Sequence, residues 1–136
     1  MSRLLNHLPA ILLAAFLVMM GAQKFGAENI IFATIAERSG VSLFEPVIRM
    51  ATGAGELGAA LLLLIPRTRL FGALGAVVII GGAILFHLSS WLGINVAMAP
   101  GEEASPTLFI MAAGSFLLAV VTLIFARATA QQAKIN

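Results

Sequence analysis

Cysteine is absent from the chain, which excludes disulfides, thiol nucleophiles, Cys-ligated zinc and iron–sulfur clusters together. Charge is nearly as scarce. Charged residues make up 10% of the 136, against about 25% in an ordinary soluble domain, while 60% are hydrophobic. No basic cluster exists that could follow a phosphate backbone, so the net charge of +2 does not point to nucleic acid. No repeat or low-complexity segment is visible. Without thiols or a covalently bound cofactor, any redox role needs a bound or diffusible molecule such as a quinone. The length suits a single domain, 1–136. A water-soluble fold of this size could not cover so much apolar surface, so the lipid bilayer is the expected surrounding.

What the chain does have is four apolar segments, at about 4–25, 46–65, 70–91 and 107–126. A bilayer core about 30 Å thick takes about 20 helical residues, so each segment reads as a spanning helix. The fold class expected is an all-α, integral membrane four-helix bundle. Arg3 before the first run resembles a secretory leader, but small residues do not fill both positions of a cleavage site near "MGAQ". It is read as a retained helix. Pro46 and Pro106 fall where a first turn tolerates proline, since that N–H has no intrahelical partner. Ser105 is a candidate N-cap. Only "PRTR" separates the second and third segments, which requires an antiparallel hairpin.

Charge sets an orientation. Arg3, Arg67, Arg69, Arg127 and Lys134 fall on one side with no acid among them. Glu28, Glu37, Glu45, Glu102 and Glu103 fall on the other, mixed with Lys24, Arg38 and Arg49. Both termini are therefore predicted to be cytoplasmic, in a multi-pass protein of a bacterial inner (plasma) membrane. On the outer side, "AENIIFATIAERSG" places Ala27, Ile30, Ile31, Thr34 and Ile35 on one helical face. That pattern predicts a short amphipathic helix on the membrane surface or over the bundle mouth. "GINVAMAPGEEASP" reads as a solvated loop.

Glu56 is the anomaly, a single carboxylate inside a hydrocarbon-like run. Arg49, Thr52, Gly53, Glu56 and Ala60 share one helical stripe, whose small residues suit close helix contact. The stripe should face the bundle interior, with Glu56 near mid-depth and Arg49 about 10 Å nearer the outer surface. On the third segment Gly72, Ala76, Ile80 and Ala83 form a matching stripe, and His87 lies near its outer end. Lys24 closes the first segment at the same level. Buried charges cost about 2.5–3.5 kcal/mol each on insertion scales and normally face a cavity or a partner. Convergence of Lys24, Arg49, Glu56 and His87 from three helices therefore predicts an outward-open polar pocket, with Thr52 beside it and Glu56 a candidate proton donor or acceptor. Each residue has a plainer reading. Glu56 could pair with Arg49 or His87 to set helix register, Lys24 and Arg49 could snorkel to headgroups, and His87 could be interfacial beside Trp91. Trp91 reads as a belt aromatic, and Ser115 and Thr122 as glue between helices.

"MGAQKFGA", "GELGAALLLLIPRTRLFGALGAV" and "AILFHL" together resemble the DoxX-like small membrane proteins. The resemblance covers about 21–87 and includes the family's lysine ending the first helix, acid in the second and basic residue opening the third. Lys24, Glu56 and Arg69 match those positions, and His87 matches a frequent histidine. The resemblance implies four transmembrane helices and an association with quinone-linked oxidoreduction or oxidative-stress complexes. A haem arrangement is not visible, because only His7 and His87 are available, on opposite sides. No metal site is expected.

Three functions follow. The first is binding of a quinone-like or other amphipathic small molecule, with Glu56 handling a proton, His87 as relay and Lys24 or Arg49 polarising a carbonyl or holding an anion. The second is a non-catalytic accessory or assembly subunit, packed against a membrane-protein partner or a second copy through its buried charges. Transport ranks lowest, since four helices without inverted repeats are few for a carrier.

Overall fold

The computed structural model describes residues 3–135, with side chains from His7 onward. The side chain of Arg3, counted above with the basic end, lies outside the described residues. Five α-helices follow one another: α1 Arg3–Ala22, α2 Ile30–Ser39, α3 Val47–Leu64, α4 Arg69–Leu88 and α5 Thr107–Ile135. Short 3₁₀ turns at Gln23–Phe25 and Ser42–Phe44 flank α2. α1, α3, α4 and α5 are long and apolar enough to cross a membrane. The architecture is an all-α, multi-pass bundle.

The four long helices run alternately up and down. α1 packs on α3, α3 on α4, α4 on α5, and α5 returns to α1. Small residues set the spacing. Leu13, Leu17 and Leu63 are fully buried among Ala10, Ala14, Ala59, Ala60, Ala73, Ala76 and Ala119. Lipid tails are as apolar as leucine, so close van der Waals contact between small residues replaces water-driven burial in holding such helices together. At Gly72 a Cβ would stand 2.6 Å from the Leu63 nitrogen and 2.9 Å from the Ala59 oxygen, so α3 and α4 touch backbone to backbone there.

The tight "PRTR" turn resolves the helix-end problem of α3, whose last carbonyls lack intrahelical donors. Thr68 Oγ1 donates to the Leu62 carbonyl (3.0 Å) and Arg69 Nε to that of Leu63 (2.9 Å). Arg69 also donates to His7 Nδ1 at 2.6 Å, tying α1 to the start of α4.

Helix boundaries depart from expectation at four places. α4 stops at Leu88, short of residue 91, because Ser89 Oγ donates to the Phe86 carbonyl (2.7 Å) and accepts from Trp91 N–H (3.2 Å). Such local side-chain bonding competes with the helix ladder. α5 runs nine residues past Ala126 to Ile135. The apolar pattern ends at 126, but Ala, Arg, Gln and Lys keep high helix propensity without burial. Pro46 and Pro106 immediately precede their helices rather than sitting inside the first turn, and Ser105 Oγ donates to Thr107 Oγ1 (3.1 Å) rather than capping a backbone N–H.

α2 is capped at both ends. Asn29 Oδ1 accepts from Ile31 and Phe32 N–H (3.1 and 3.4 Å). Gly40 closes the helix at φ +72°, a left-handed conformation that costs glycine little. Ile35 anchors α2 in a second apolar cluster with Leu92, Val96 and Leu108. The 89–106 connection is therefore more ordered than a solvated turn. Val96 and Ser105 exchange both backbone hydrogen bonds (3.0 and 3.2 Å) in an isolated antiparallel bridge, while Glu102 and Glu103 stay exposed.

Candidate functional site

Glycines on facing helices create the site. Gly21 of α1 and Gly53 of α3 cross so closely that a Cβ at Gly53 would lie 2.9 Å from Lys24 Cβ and 3.0 Å from the Gly21 oxygen. Three residues further along each chain stand Lys24 and Glu56, which this crossing brings side by side. Lys24 Nζ lies 3.0 Å from Glu56 Oε1 and 2.8 Å from Oε2. The ammonium thus closes on both carboxylate oxygens, with Oε1 accepting its hydrogen bond. A further Lys24 N–H donates to the Met20 carbonyl at 3.2 Å. Both residues are 7% exposed. The basic partner of Glu56 is thus Lys24, neither Arg49 nor His87.

Arg49 takes a different place from the one expected of it. Its guanidinium, 2% exposed, is held by Glu45 through Nε (2.8 Å) and Nη2 (2.7 Å). The remaining N–H groups donate to the carbonyls of Lys24, Gly26 (2.8 Å) and Ala27 (3.5 Å). Arg49 does not snorkel and does not line the cavity described below. It fastens the chain that leaves α1 to the start of α3, and so fixes the backbone carrying Lys24. Glu45 was missed as its partner, although the i,i+4 spacing Glu45…Arg49 is a legible signal.

A cavity of about 820 Å³ occupies the end of the bundle where α2 lies, within the range of about 300–1,000 Å³ usual for small-molecule sites. Lys24, Thr52, Glu56 and His87 all belong to its wall. The rest is predominantly apolar, with Phe16 and Met20 from α1, Ile31 and Phe32 from α2, Ile79 from α4 and Met111 from α5. Ala83, placed on the buried stripe of α4 by its spacing, is exposed at the cavity rim. The share of α2 in the wall had no sequence signal beyond its apolar face.

His87 stands apart from the ion pair. Its Nδ1 lies 2.8 Å from the Gly93 carbonyl, which can only accept, so Nδ1 carries the proton and Nε2 is left without it in the neutral ring. Gly93 at φ +84° turns that carbonyl toward the ring. Gly55, beside Glu56, packs at the level of Ile79, where its Cβ would meet Ile79 Cδ1 at 3.3 Å. Eight residues at 1.5 Å each then put His87 about 12 Å along the axis. His87 shares the cavity with Glu56 but does not reach it.

The hydroxyls are locally satisfied. Thr52 donates to the Ile48 carbonyl (2.8 Å), Ser115 to that of Ala112 (3.0 Å) and Thr122 to that of Leu118 (2.8 Å). Ser115 and Thr122 therefore bond within α5 instead of joining helices. Trp91 is 41% exposed and packs with Phe44 and Phe86, each centroid 6.3 Å away. Among the described residues no three His, Asp or Glu side chains gather as a metal site requires. What the arrangement offers is a mainly apolar chamber whose wall carries an ammonium and a carboxylate side by side, with His87 apart from them and Gln23, Glu28, Asn29 and Glu37 on α2 and the stretch that leads into it. No protein family, curated protein or solved structure matches this chain.

Proposed function

We propose that the chain is a DoxX-like membrane protein that binds a small amphipathic, quinone-like molecule in this cavity, within a membrane oxidoreductase system. One observation carries the reading: a cavity of about 820 Å³, lined mainly by apolar side chains, has the Lys24–Glu56 pair in its wall. Removing two charges from water is costly, and an apolar pair of similar volume would often hold helices as well. Retaining the charges beside a chamber favours a use for them. In this reading Lys24 holds an oxygen of the ligand head, Glu56 takes or gives a proton at its carboxylate, and the apolar wall accepts the ring and tail. Thr52 and His87 line the rest, while Arg49 acts through the backbone of Lys24. The fit of a quinone-like head rests on chamber size and on a donor and an acceptor placed side by side.

The same reading places the cavity end outward in a bacterial inner membrane and both termini in the cytoplasm. Its support is the distribution of charge. Arg67, Arg69, Arg127 and Lys134 belong to the end opposite the cavity, and Glu28, Glu37, Glu102 and Glu103 to the cavity end. α2 then lies on the outer side as a cover.

The test is native mass spectrometry of detergent-purified protein, wild type beside Glu56→Gln, with extraction of whatever is bound. A discrete lipid-like molecule in the wild type, lost in the variant, is the expected result. An empty, folded wild type, or equal occupancy in both, would refute it. The closure of Lys24 directly onto Glu56 favours a second reading, an accessory subunit in which the pair only fixes α1 against α3. In that case Glu56→Gln changes the yield of an assembly and not the content of the cavity.

A further inference from the structure

α3 and α4 do not stay together along their whole length. They are antiparallel, and their register can be followed from turn to turn. A Cβ on Gly75 would stand 3.6 Å from Ala59 Cβ. One turn on, Gly55 faces Ile79, and the gap is closed by the reach of Ile79 Cδ1, 3.3 Å from a Cβ at Gly55. Continued by another turn, the register sets Ala51 and Thr52 opposite Gly82 and Ala83. None of these has the reach of an isoleucine, and Ala51 and Ala83 are both exposed. A Cβ at Gly82, on the same face as Gly75, would meet nothing within 4 Å.

This gap is closed at both ends. On one side stand the Gly55–Ile79 contact and the backbone contact at Gly72. On the other, Phe44 just before α3 meets Phe86 of α4 edge-on, with centroids 5.5 Å apart, and Trp91 packs 6.3 Å from each. Between these limits Ala51, Gly82 and Ala83 belong to the cavity wall, and so does Val78, 72% exposed on the outer side of α4. The chamber therefore reaches the flank of the bundle. Ala83 lies about 7 Å along the axis from the middle of α4, whereas a hydrocarbon core extends about 15 Å from its midplane. At that depth a gap between spanning helices meets lipid chains and not water.

We propose that the cavity opens sideways into the bilayer between α3 and α4, and that its ligand enters there with its hydrocarbon chain lying in the opening. The ligand is then a long-chain lipid drawn from the membrane, not a molecule taken up from water. This rests on the ligand-binding reading above and names the class of molecule and its route. The edges of the opening suit a chain. Both are unbroken helix, whose backbone groups are paired within the segment, and the Thr52 hydroxyl already bonds the Ile48 carbonyl.

The experiment uses bromine on lipid chains, which quenches tryptophan on contact. Trp91 is the single tryptophan, so Trp91→Phe gives a background that takes one reporter at a time. The inner reporter is Phe16→Trp, in the cavity wall on α1, which forms no part of the opening. The outer one is Val78→Trp. The full chain is reconstituted in vesicles of phosphatidylcholine brominated mid-chain. Both reporters should be quenched. The pair Ala51→Leu, Ala83→Leu should plug the gap, abolishing quenching of the inner reporter and sparing that of the outer; Gly82→Leu is the alternative plug if the pair fails to fold. Quenching of the outer reporter alone in the unplugged protein would overturn the sideways opening and leave the ligand reading to its own mass-spectrometric test. Inner quenching that survives the plug would overturn the assignment to α3 and α4. An unquenched outer reporter would mean that a second copy covers the opening, which also overturns it.

Discussion

Breaking the Lys24–Glu56 pair one residue at a time should cost far more than removing it whole. Nζ lies 2.8 and 3.0 Å from the two carboxylate oxygens, and each side chain is 9% exposed. At about 3 Å and an effective dielectric constant of about 20, the Coulomb attraction is about 5–6 kcal/mol. Desolvation of the two ions opposes it with several kcal/mol each. In Lys24→Met the attraction is lost while the desolvated carboxylate remains, which costs about 3–5 kcal/mol. Glu56→Met strands the ammonium at similar cost. In the double variant both terms vanish, methionine fills a comparable volume, and net stability should lie within about 1 kcal/mol of wild type or above it. The double-mutant cycle then yields a coupling of several kcal/mol between residues 24 and 56. Equilibrium unfolding of the three variants in one detergent measures it. Single variants that each lose less than about 1 kcal/mol would refute the reasoning, for the pair would then be neither closed nor desolvated.

Other outcomes follow from the same geometry. Arg49→Lys should lose about 3 kcal/mol, because an ammonium cannot reach Glu45 and three backbone carbonyls at once; thermal unfolding at or near the wild-type midpoint would count against the clasp. Gly53→Ala should destabilise by about 1–3 kcal/mol, since its Cβ meets Lys24 Cβ at 2.9 Å and the Gly21 backbone oxygen at 3.0 Å. Gly58→Ala, where a Cβ meets nothing within 4 Å, is the matched control and should be neutral or stabilising. Orientation is testable on a clean background, as the chain contains no cysteine. Single cysteines at Arg67 and Glu103 should react with an impermeant maleimide from opposite faces of sealed vesicles, and labelling of both from one face would contradict the proposed topology.

The spanning helices were legible because their signal is local and strong. A run of about 20 apolar residues has few alternatives to a membrane-spanning helix, and "PRTR" is too short for anything but a hairpin. The end of α4 was harder, since it depends on one serine that bonds back to Phe86 and forward to Trp91. α5 outlasts its apolar run because helix propensity and burial are separate quantities, and the hydrophobic pattern reports only the second. The 89–106 connection reads as a polar loop, yet its two-residue bridge and the burial of Val96 depend on what lies across from it.

The candidate site divides along the same line. The stripe 49–52–53–56–60 depends on helical periodicity alone, and with it the inward face of Glu56 and the small residues at its sides. Which base meets that carboxylate is a tertiary question, because Lys24, Arg49 and His87 share one end of the bundle and helical periodicity does not fix their distances from Glu56. The close crossing at Gly21 and Gly53 brings Lys24 within 3.0 Å. Glu45 and the carbonyls of the chain leaving α1 claim Arg49, and the Gly93 carbonyl holds His87 about 12 Å up the axis. By itself the sequence determined that this chain forms apolar helices of membrane-spanning length and that Glu56 faces inward, since both follow from composition and a period of 3.6. Only the tertiary structure decided the pairing of the charges and the chamber beside them, because those depend on how closely two helix backbones approach, and that distance is a property of neighbours rather than of any one segment.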